Sequence, residues 1–147
     1  MKKLLALFFV LTLLAAGCTQ NNGHIGPVFG SWALDGITEN GDPLELQDET
    51  VFSFQNEVVQ VIRIHSSFEI EARYGNFSIE GDIMQFKFLT ELPSEGQGVR
   101  FLMPSWLYFP EGEMPLRFDV RKLDGSRMIL ALEHDGKVYV YTFSRTW

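Results

Sequence analysis

The chain has 147 residues, of which 12 are basic and 19 acidic, giving a net charge of −7. This length suits one domain with a substantial core and is too short for two ordinary domains. The acidic balance argues against nucleic acid as a partner, because phosphate backbones repel a negatively charged protein. A single cysteine excludes an internal disulfide and a thiolate zinc site.

The first eighteen residues have the features of a secretory signal. Lys2 and Lys3 give a positive start, residues 4–16 are almost entirely apolar, and the segment ends in Ala-Ala-Gly before Cys18. The apolar stretch is shorter than the ~20 residues that a spanning helix needs. Its ending resembles the lipobox of bacterial lipoproteins, which implies cleavage before the cysteine and acylation of its side chain. We therefore expect a signal peptide over 1–17 and a mature protein attached to the membrane through lipid at Cys18.

The segment after the cysteine predicts a spacer. Residues 18–28 are polar, contain glycine and show no periodicity, which favours a flexible tether over an ordered arm packed on the domain. Loss of the signal leaves 10 basic against 19 acidic residues, so docking on anionic lipid through a basic patch is not expected. No acidic run follows Cys18, and we expect a cell-envelope protein anchored in the outer membrane and facing the periplasm.

From residue 29 to residue 147 the pattern predicts one all-β domain of eight short strands. Asp-Gly pairs at 124–125 and 135–136 separate alternating runs, which is the strongest short-range signal for a hairpin. Consecutive hairpins make an antiparallel meander, and an eight-stranded meander removes its edges by closing into an up-and-down β-barrel. A two-sheet sandwich would use the same strand signals. The predicted strands are 30–38, 49–55, 58–65, 68–79, 83–90, 116–123, 126–134 and 137–145.

Alternation along these strands predicts an inner face rich in phenylalanine. The predicted inner residues are Phe52, Phe54, Met84, Phe86, Phe88, Leu116, Phe118, Val120, Met128, Leu130 and Leu132.

The predicted strand 68–79 changes parity along its length. Its even-numbered residues from 68 to 74 share an apolar face, whereas Phe77 has the opposite parity. A β-bulge near Gly75 would return Phe77 to the apolar face. On that interpretation, Glu71 and Arg73 lie on the solvent side of the strand.

Three places resemble the lipocalins. The first strand starts Gly30-Ser31-Trp32, similar to the Gly-x-Trp of that family, and 74–82 (YGNFSIEGD) is similar to a hairpin of small lipocalin-like bacterial lipoproteins. The last strand ends at Arg145 and resembles the closing barrel strand, in which a basic residue covers the tryptophan. The resemblance implies that Trp32 closes one barrel end with Arg145 across it, in cation–π contact. The sequence lacks the disulfide and the Thr-Asp-x-x-Tyr segment of secreted lipocalins, which fits the small bacterial branch.

One long connection, 91–114, interrupts the strands and contains Trp106-Leu107-Tyr108-Phe109. This aromatic run needs burial, and the pattern favours a plug at one barrel end over a lid above a cavity. In either case we expect Trp106 and Tyr108 near the inward phenylalanines of strand 83–90. The candidate ligand-lining residues are Phe86, Phe88, Trp106, Tyr108 and Phe118.

No constellation in the sequence points to catalysis. His24, His65 and His134 are too scattered for a metal site, and no cofactor motif, nucleophile elbow or phosphate loop occurs. We therefore expect neither an enzyme nor a bound cofactor or metal.

Two groups of charged residues remain open to interpretation. The acidic residues between the first two predicted strands favour a solvated loop at the barrel rim over a carboxylate pair or a calcium site, whose spacing they do not match. Arg63 has the parity of Val59 and Val61, and the favoured interpretation places it in solvent. An Arg63 that faced the barrel interior would instead be a ligand anchor. The acidic residues are Glu39, Asp42, Glu45, Asp48 and Glu49.

Together these features predict a lipid-anchored, lipocalin-like protein that binds a small apolar or amphipathic ligand inside its barrel. The alternative is a structural or protein-interaction module, because eight strands enclose an interior that side chains alone can fill.

Overall fold

A computed structural model describes residues 26–92 and 98–146. The predicted signal peptide, Cys18, His24 and most of the predicted tether lie outside the described residues. Val28, placed by sequence at the end of the tether, is 1% exposed and belongs to the core. The folded domain therefore starts at or before Val28 rather than at residue 29. Within the described ranges, no helix has the length and apolar character needed to cross a bilayer.

The described residues form a single antiparallel sheet that closes on itself, because its first strand also pairs with its last. Eight strands make the barrel, and a three-residue strand, β2, is added beside the end of β1. This confirms the predicted eight-stranded up-and-down barrel over the sandwich. The strands are β1 (Gly30–Glu39), β2 (Asp42–Leu44), β3 (Glu49–Gln55), β4 (Val58–Ile64), β5 (Ile70–Glu80), β6 (Ile83–Lys87), β7 (Leu116–Leu123), β8 (Arg127–His134) and β9 (Lys137–Thr146).

The up-and-down order gives the barrel two different ends. At one end, called the closed end here, lie the start of β1 and the tight turns β3–β4, β5–β6 and β7–β8. At the other, called the mouth, lie the β2–β3 connection, the β4–β5 turn and the long 88–115 connection. The long connection contains two short 3-10 turns, Val99–Phe101 and Ser105–Leu107.

The barrel interior is filled by aromatic and aliphatic side chains of the chain itself. Of the eleven inner residues predicted above, all but Val120 are buried, and Val120 packs partly buried against the same core. The rings touch one another: the Phe86 and Phe118 centroids lie 4.9 Å apart, and those of Phe52 and Phe143 lie 5.0 Å apart. Burying such a side chain contributes about 1.5–3 kcal/mol each.

Strand β5 is regular where a bulge was predicted. Its pairing with β4 runs through Gly75 without a shift, and its pairing with β6 is regular from Asn76 onward. Register shifts occur instead in β1 and β7. A Cβ on Gly75 would lie 2.7 Å from the Phe88 ring and 2.8 Å from the Lys87 carbonyl oxygen. Glycine at this position thus serves a close approach between strands. The predicted bulge is wrong: Gly75 allows Phe88 and Lys87 to approach closely and does not interrupt the pairing with β4.

Without the bulge, the odd-numbered residues of β5 face inward. Phe77 is 7% exposed, whereas Ile70 on the opposite face is 70% exposed. Glu71 and Arg73 therefore lie on the inner face at the mouth, and their predicted solvent position is wrong. This reversal places charged side chains inside an otherwise apolar barrel.

Candidate functional site

The long connection closes the mouth with its second 3-10 turn. Leu107 is fully buried and Phe109 is 7% exposed. The Phe109 ring lies 5.8 Å from that of Phe118 and 5.6 Å from that of Tyr141, centroid to centroid. The Tyr141 hydroxyl donates a 2.9 Å hydrogen bond to the Leu107 carbonyl oxygen, and burial raises the pKa of this phenol. Leu107 and Phe109 thus fill the barrel end, as the plug alternative predicted.

The structure separates the predicted ligand-lining residues into two groups. Phe86, Phe88 and Phe118 lie in the core at 4% exposure or less, with Phe86 packed against both others. Trp106 and Tyr108 lie nearer the surface, and it is Phe109 that meets Phe88. Phe86 and Phe118 thus belong to the packed core, whereas Trp106 and Tyr108 line a cleft at the mouth.

Two arginines of neighbouring strands lie against the Trp106 ring. The guanidinium carbon is 5.3 Å from the ring centroid for Arg63 and 5.6 Å for Arg73. Arg63 follows the fully buried Val59 and Val61 along the inner face of β4, and 19% of its side chain is exposed. The favoured placement of Arg63 in solvent is thus wrong, and the alternative that it faces the barrel interior is correct.

Asp48 holds Arg63 at the mouth. The Nε and Nη2 atoms of Arg63 lie 2.7 and 2.6 Å from Asp48 Oδ2, and His65 Nδ1 lies 3.1 Å from the same oxygen. Burial tends to raise the pKa of Asp48, but Arg63, His65 and the Ser66 backbone outweigh it and hold that pKa below its ordinary value. Asp48 has 11% of its side chain exposed, which corrects its placement in a solvated loop.

Glu71 is the second carboxylate of the cluster. It accepts a hydrogen bond from Arg73 Nη2, and its Oε2 lies 3.8 Å from His65 Nε2. Oε2 is also 4.0 Å from Arg63 Nη1, too far for a hydrogen bond. Two arginines, two carboxylates and one histidine thus surround one face of the mouth.

Some hydrogen-bond donors of the cluster have no acceptor in the described part of the chain. Trp106 Nε1 and Arg73 Nε are buried, and neither has a hydrogen-bond partner among the described protein groups. An unsatisfied buried donor costs about 1–3 kcal/mol. Additional hydrogen-bond acceptors at this site would therefore be stabilising.

A cleft of about 210 Å³ opens beside this cluster, between the β2–β3 connection and the 3-10 turn. It is smaller than the roughly 300–1,000 Å³ typical of pockets for drug-sized ligands. Tyr108 lines its outer side, 42% exposed, and donates a 2.9 Å hydrogen bond from its hydroxyl to the Glu45 carbonyl oxygen. The principal lining residues are Asp48, Thr50, Arg63, Trp106 and Tyr108.

The closed end pairs the other tryptophan and arginine as the resemblance implied. Trp32 is fully buried, and its Nε1 donates a 2.7 Å hydrogen bond to the Val28 carbonyl oxygen. The guanidinium carbon of Arg145 lies 5.0 Å from the Trp32 ring centroid. Its Nη1 and Nη2 donate to the carbonyl oxygens of Pro27 and Phe29. The indole N–H of Trp32 and both terminal nitrogens of Arg145 thus have backbone acceptors.

The described residues contain no group of three or more histidine, cysteine, aspartate or glutamate side chains suited to hold a metal ion. His134, at the mouth, lies 3.1 Å from Glu113 and 3.2 Å from Asp135, whereas His65 belongs to the charged cluster. The sequence pattern did not indicate that Asp48, His65, Glu71 and Arg73 belong to one cluster. The parity of Phe77 was a signal for two of them, because it sets Glu71 and Arg73 on the core face.

Solved structures with the same architecture place this barrel among known folds. A lipocalin-like protein from Bacteroides uniformis shares 22% identity, over 79% of this chain and 97% of that chain, with a TM-score of 0.55. An uncharacterized protein from Bacteroides eggerthii shares 16% identity, over 78% of this chain and 98% of that chain, with a TM-score of 0.54. No protein-family model and no curated protein matches the chain. The closed eight-stranded barrel and these neighbours establish that the chain has a lipocalin-like, calycin-type fold.

Proposed function

We propose that this protein binds a small amphipathic ligand at the mouth of its barrel, in the cleft beside Arg63 and Trp106. The observation that carries the proposal is the combination of that cleft with the indole N–H of Trp106, a lining residue, which is buried and has no hydrogen-bond partner among the described residues. Pockets that bind small molecules typically join apolar walls to a few converging polar groups. A lipocalin-like barrel also supplies a rigid frame for loops that bind.

The mouth supports this function better than the barrel interior does. Phe86, Phe118 and Phe109 pack ring against ring, and Leu107 covers them from the mouth side. An apolar ligand inside the barrel would have to displace these side chains. A ligand in the cleft needs no such rearrangement, and this moves the predicted binding position from the interior to the rim.

Attachment to the cell envelope through Cys18 is the second part of the proposal. The chain enters the barrel at the closed end, where Pro27 and Val28 contact Arg145 and Trp32. The ten residues from 18 to 27 could span at most about 33–36 Å when fully extended. An acyl chain on Cys18 would then hold the closed end within about that distance of the bilayer.

Changing Cys18 to Ser tests the anchor. The variant is expected to leave the membrane fraction or to keep its signal uncut, because the cysteine side chain is the acceptor of the lipid. Fractionation followed by mass determination of the intact chain distinguishes these forms. A variant of mature length that still sediments with membranes would show that the anchor is wrong.

Native mass spectrometry of protein purified from its own host tests the ligand. The wild type is expected to retain a small molecule that a double variant, Arg63→Met with Asp48→Asn, has lost. Both members of the ion pair are replaced because a single change leaves a buried charge without its partner. Arg117→Met, on the exposed face of β7, is the matched control and should retain the molecule. An empty wild type, or equal retention by all variants, would refute binding in the cleft.

A protein-interaction role is the second candidate, and the β4–β5 turn favours it. Phe68 is 88% exposed and Ile70 is 70% exposed, and Phe68 has a positive φ of 64°. A bulky residue rarely adopts that backbone conformation. Large apolar side chains that are exposed together are typical of surfaces that contact another molecule. If this turn meets a partner protein, Phe68→Ser with Ile70→Thr should abolish a cross-linked complex seen with wild type in host cells, while Arg63 variants should preserve it.

A further inference from the structure

We infer that the polar group of the ligand is a carboxylate or a similar oxyanion, bound by Arg63 with help from the indole N–H of Trp106. This inference rests on the proposed binding at the mouth and goes further, because it names the chemical class of the ligand. It follows from the count of donors and acceptors in the cluster.

The donors of the cluster are incompletely used. Arg63 has five N–H groups. Its Nε and Nη2 atoms contact Asp48 Oδ2, while Nη1 has its nearest carboxylate, Glu71, at 4.0 Å. Trp106 Nε1 and Arg73 Nε add two buried donors without partners in the part of the chain that the structure describes. These donors belong to three side chains that are in contact, because both guanidinium groups lie against the Trp106 ring.

The acceptors of the cluster, by contrast, are largely occupied. Asp48 receives Arg63, His65 and a backbone N–H of Ser66. Glu71 receives Arg73 at Oε1, whereas its Oε2 lies 3.8 Å from His65 Nε2, beyond hydrogen-bond distance. A ligand that brought further donors would meet one open carboxylate oxygen, whereas a ligand that brought acceptor oxygens would meet N–H groups of two arginines and of the indole. An anionic acceptor is favoured over a neutral one, because charge-assisted hydrogen bonds are roughly twice as strong.

A cationic ligand is disfavoured by the same geometry. The ring of Trp106 is the aromatic surface on which a cation would be held, and the guanidinium groups of Arg63 and Arg73 already lie 5.3 and 5.6 Å from its centroid. A third positive charge there would be repelled by both. The cleft volume of about 210 Å³ limits the rest of the ligand to a compact group, of the size of one or two rings.

Asp48 competes with the ligand for Arg63. Its carboxylate is itself the oxyanion that holds the guanidinium in the free protein, at 2.6 Å from Nη2. Removing the charge of Asp48 should therefore increase the affinity for an anionic ligand, an effect opposite in sign to the loss of Arg63. This pair of opposite effects distinguishes recognition of an anion from a merely structural ion pair.

Two probes that share one ring system test the inference: naphthalene-2-carboxylate and the neutral naphthalene-2-methanol. Isothermal titration calorimetry at neutral pH is expected to show the wild type binding the carboxylate at least about tenfold more tightly, as one charged hydrogen bond of about 1.5–3 kcal/mol would give. The double variant, Arg63→Met with Asp48→Asn, should bind both probes equally. Asp48→Asn alone should bind the carboxylate more tightly than wild type. Trp106→Phe should lose part of the preference, and Arg117→Met should keep all of it.

Each result decides between the two proposals. If the wild type binds neither probe, both the cleft and the oxyanion are wrong. If it binds both equally, the proposed function stands and the inference of an oxyanion is overturned. A preference for the carboxylate that survives the double variant would overturn the assignment to Arg63. Circular dichroism of each variant checks that it is folded, and Asp48→Asn decides the question even if the double variant does not fold.

Discussion

Both ends of this barrel have a tryptophan in contact with arginine, but the two ends differ in whether the tryptophan N–H is hydrogen-bonded. At the closed end, the N–H of Trp32 donates to Val28, and the guanidinium of Arg145 donates to two backbone carbonyl oxygens. At the mouth, Trp106 lies against two arginines at similar distances, yet its own N–H has no acceptor among the described residues. The indole N–H is thus hydrogen-bonded to the backbone at one end, whereas at the other end no described residue accepts from it.

This difference shows why the presence of a tryptophan–arginine contact does not by itself reveal its role. Cation–π attraction is similar at both ends, about 0.5–2 kcal/mol for each pair. The backbone makes the distinction: the N-terminal segment 27–29 brings carbonyl oxygens to the closed end. At the mouth, two side-chain carboxylates take that place. Side-chain partners can be exchanged for those of a ligand, whereas backbone partners belong to the fold.

The largest expected effect is at the closed end. Trp32→Ala should lower the free energy of unfolding by about 3–5 kcal/mol, because the side chain is fully buried and leaves a large cavity. Chemical denaturation measures the change. Trp106→Ala is the matched variant and should cost less, since its ring is only partly buried. A loss below about 1 kcal/mol for Trp32→Ala would contradict its role in closing the barrel.

Replacing each tryptophan by phenylalanine sharpens the comparison, because it removes the N–H and keeps most of the ring. Trp32→Phe should cost about 1–3 kcal/mol more than Trp106→Phe, since only the former leaves a buried carbonyl, that of Val28, without its donor. Trp106→Phe removes a donor for which residues 26–92 and 98–146 offer no acceptor, and it should leave stability nearly unchanged. Equal costs measured by urea unfolding would mean that the two indole N–H groups are equally well hydrogen-bonded.

A smaller effect is expected from the contact between Arg145 and Trp32. A double-mutant cycle with Arg145→Ala and Trp32→Ala should give a coupling energy of about 0.5–1 kcal/mol, the range of exposed cation–π pairs. The guanidinium carbon lies 5.0 Å from the ring centroid, which is within range for such coupling. Additive costs in thermal unfolding would show that Arg145 acts only through its hydrogen bonds to the backbone.

The last effect appears only in acid and concerns the mouth. Arg63 and His65 hold the pKa of Asp48 below its ordinary value. The stabilising contribution of its carboxylate is therefore fully present above the pKa of the unfolded chain and is lost as the pH falls through the pKa of the folded state. The difference in melting temperature between wild type and Asp48→Asn should shrink as the pH falls below about 4, the ordinary pKa of an aspartate. A difference that stays constant over this range would contradict the ion pair.

Most of the barrel could be predicted because its signals are local. Strands β3 and β7 were predicted with their observed bounds, since alternation and turn residues act over a few neighbouring positions. Trp32 and Arg145 were predicted as a pair only through the resemblance to lipocalins. Strand β2 was missed, because three residues that include Pro43 carry too little pattern to identify a strand.

The sequence by itself determined the fold class, the inner face of most strands and the absence of any internal disulfide; the lipid anchor that it predicts at Cys18 stays a prediction. Only the tertiary structure decided which way Arg63, Glu71 and Arg73 point. Alternation along a strand does not say which of its two faces points into the barrel. A single assumed bulge at Gly75 therefore exchanges the inner and outer faces for all residues of β5 before it. The close approach of Phe88 to Gly75, a contact between strands, settles that parity. The physical reason is that alternation fixes which residues share a face, whereas only packing against other strands fixes which face is inside.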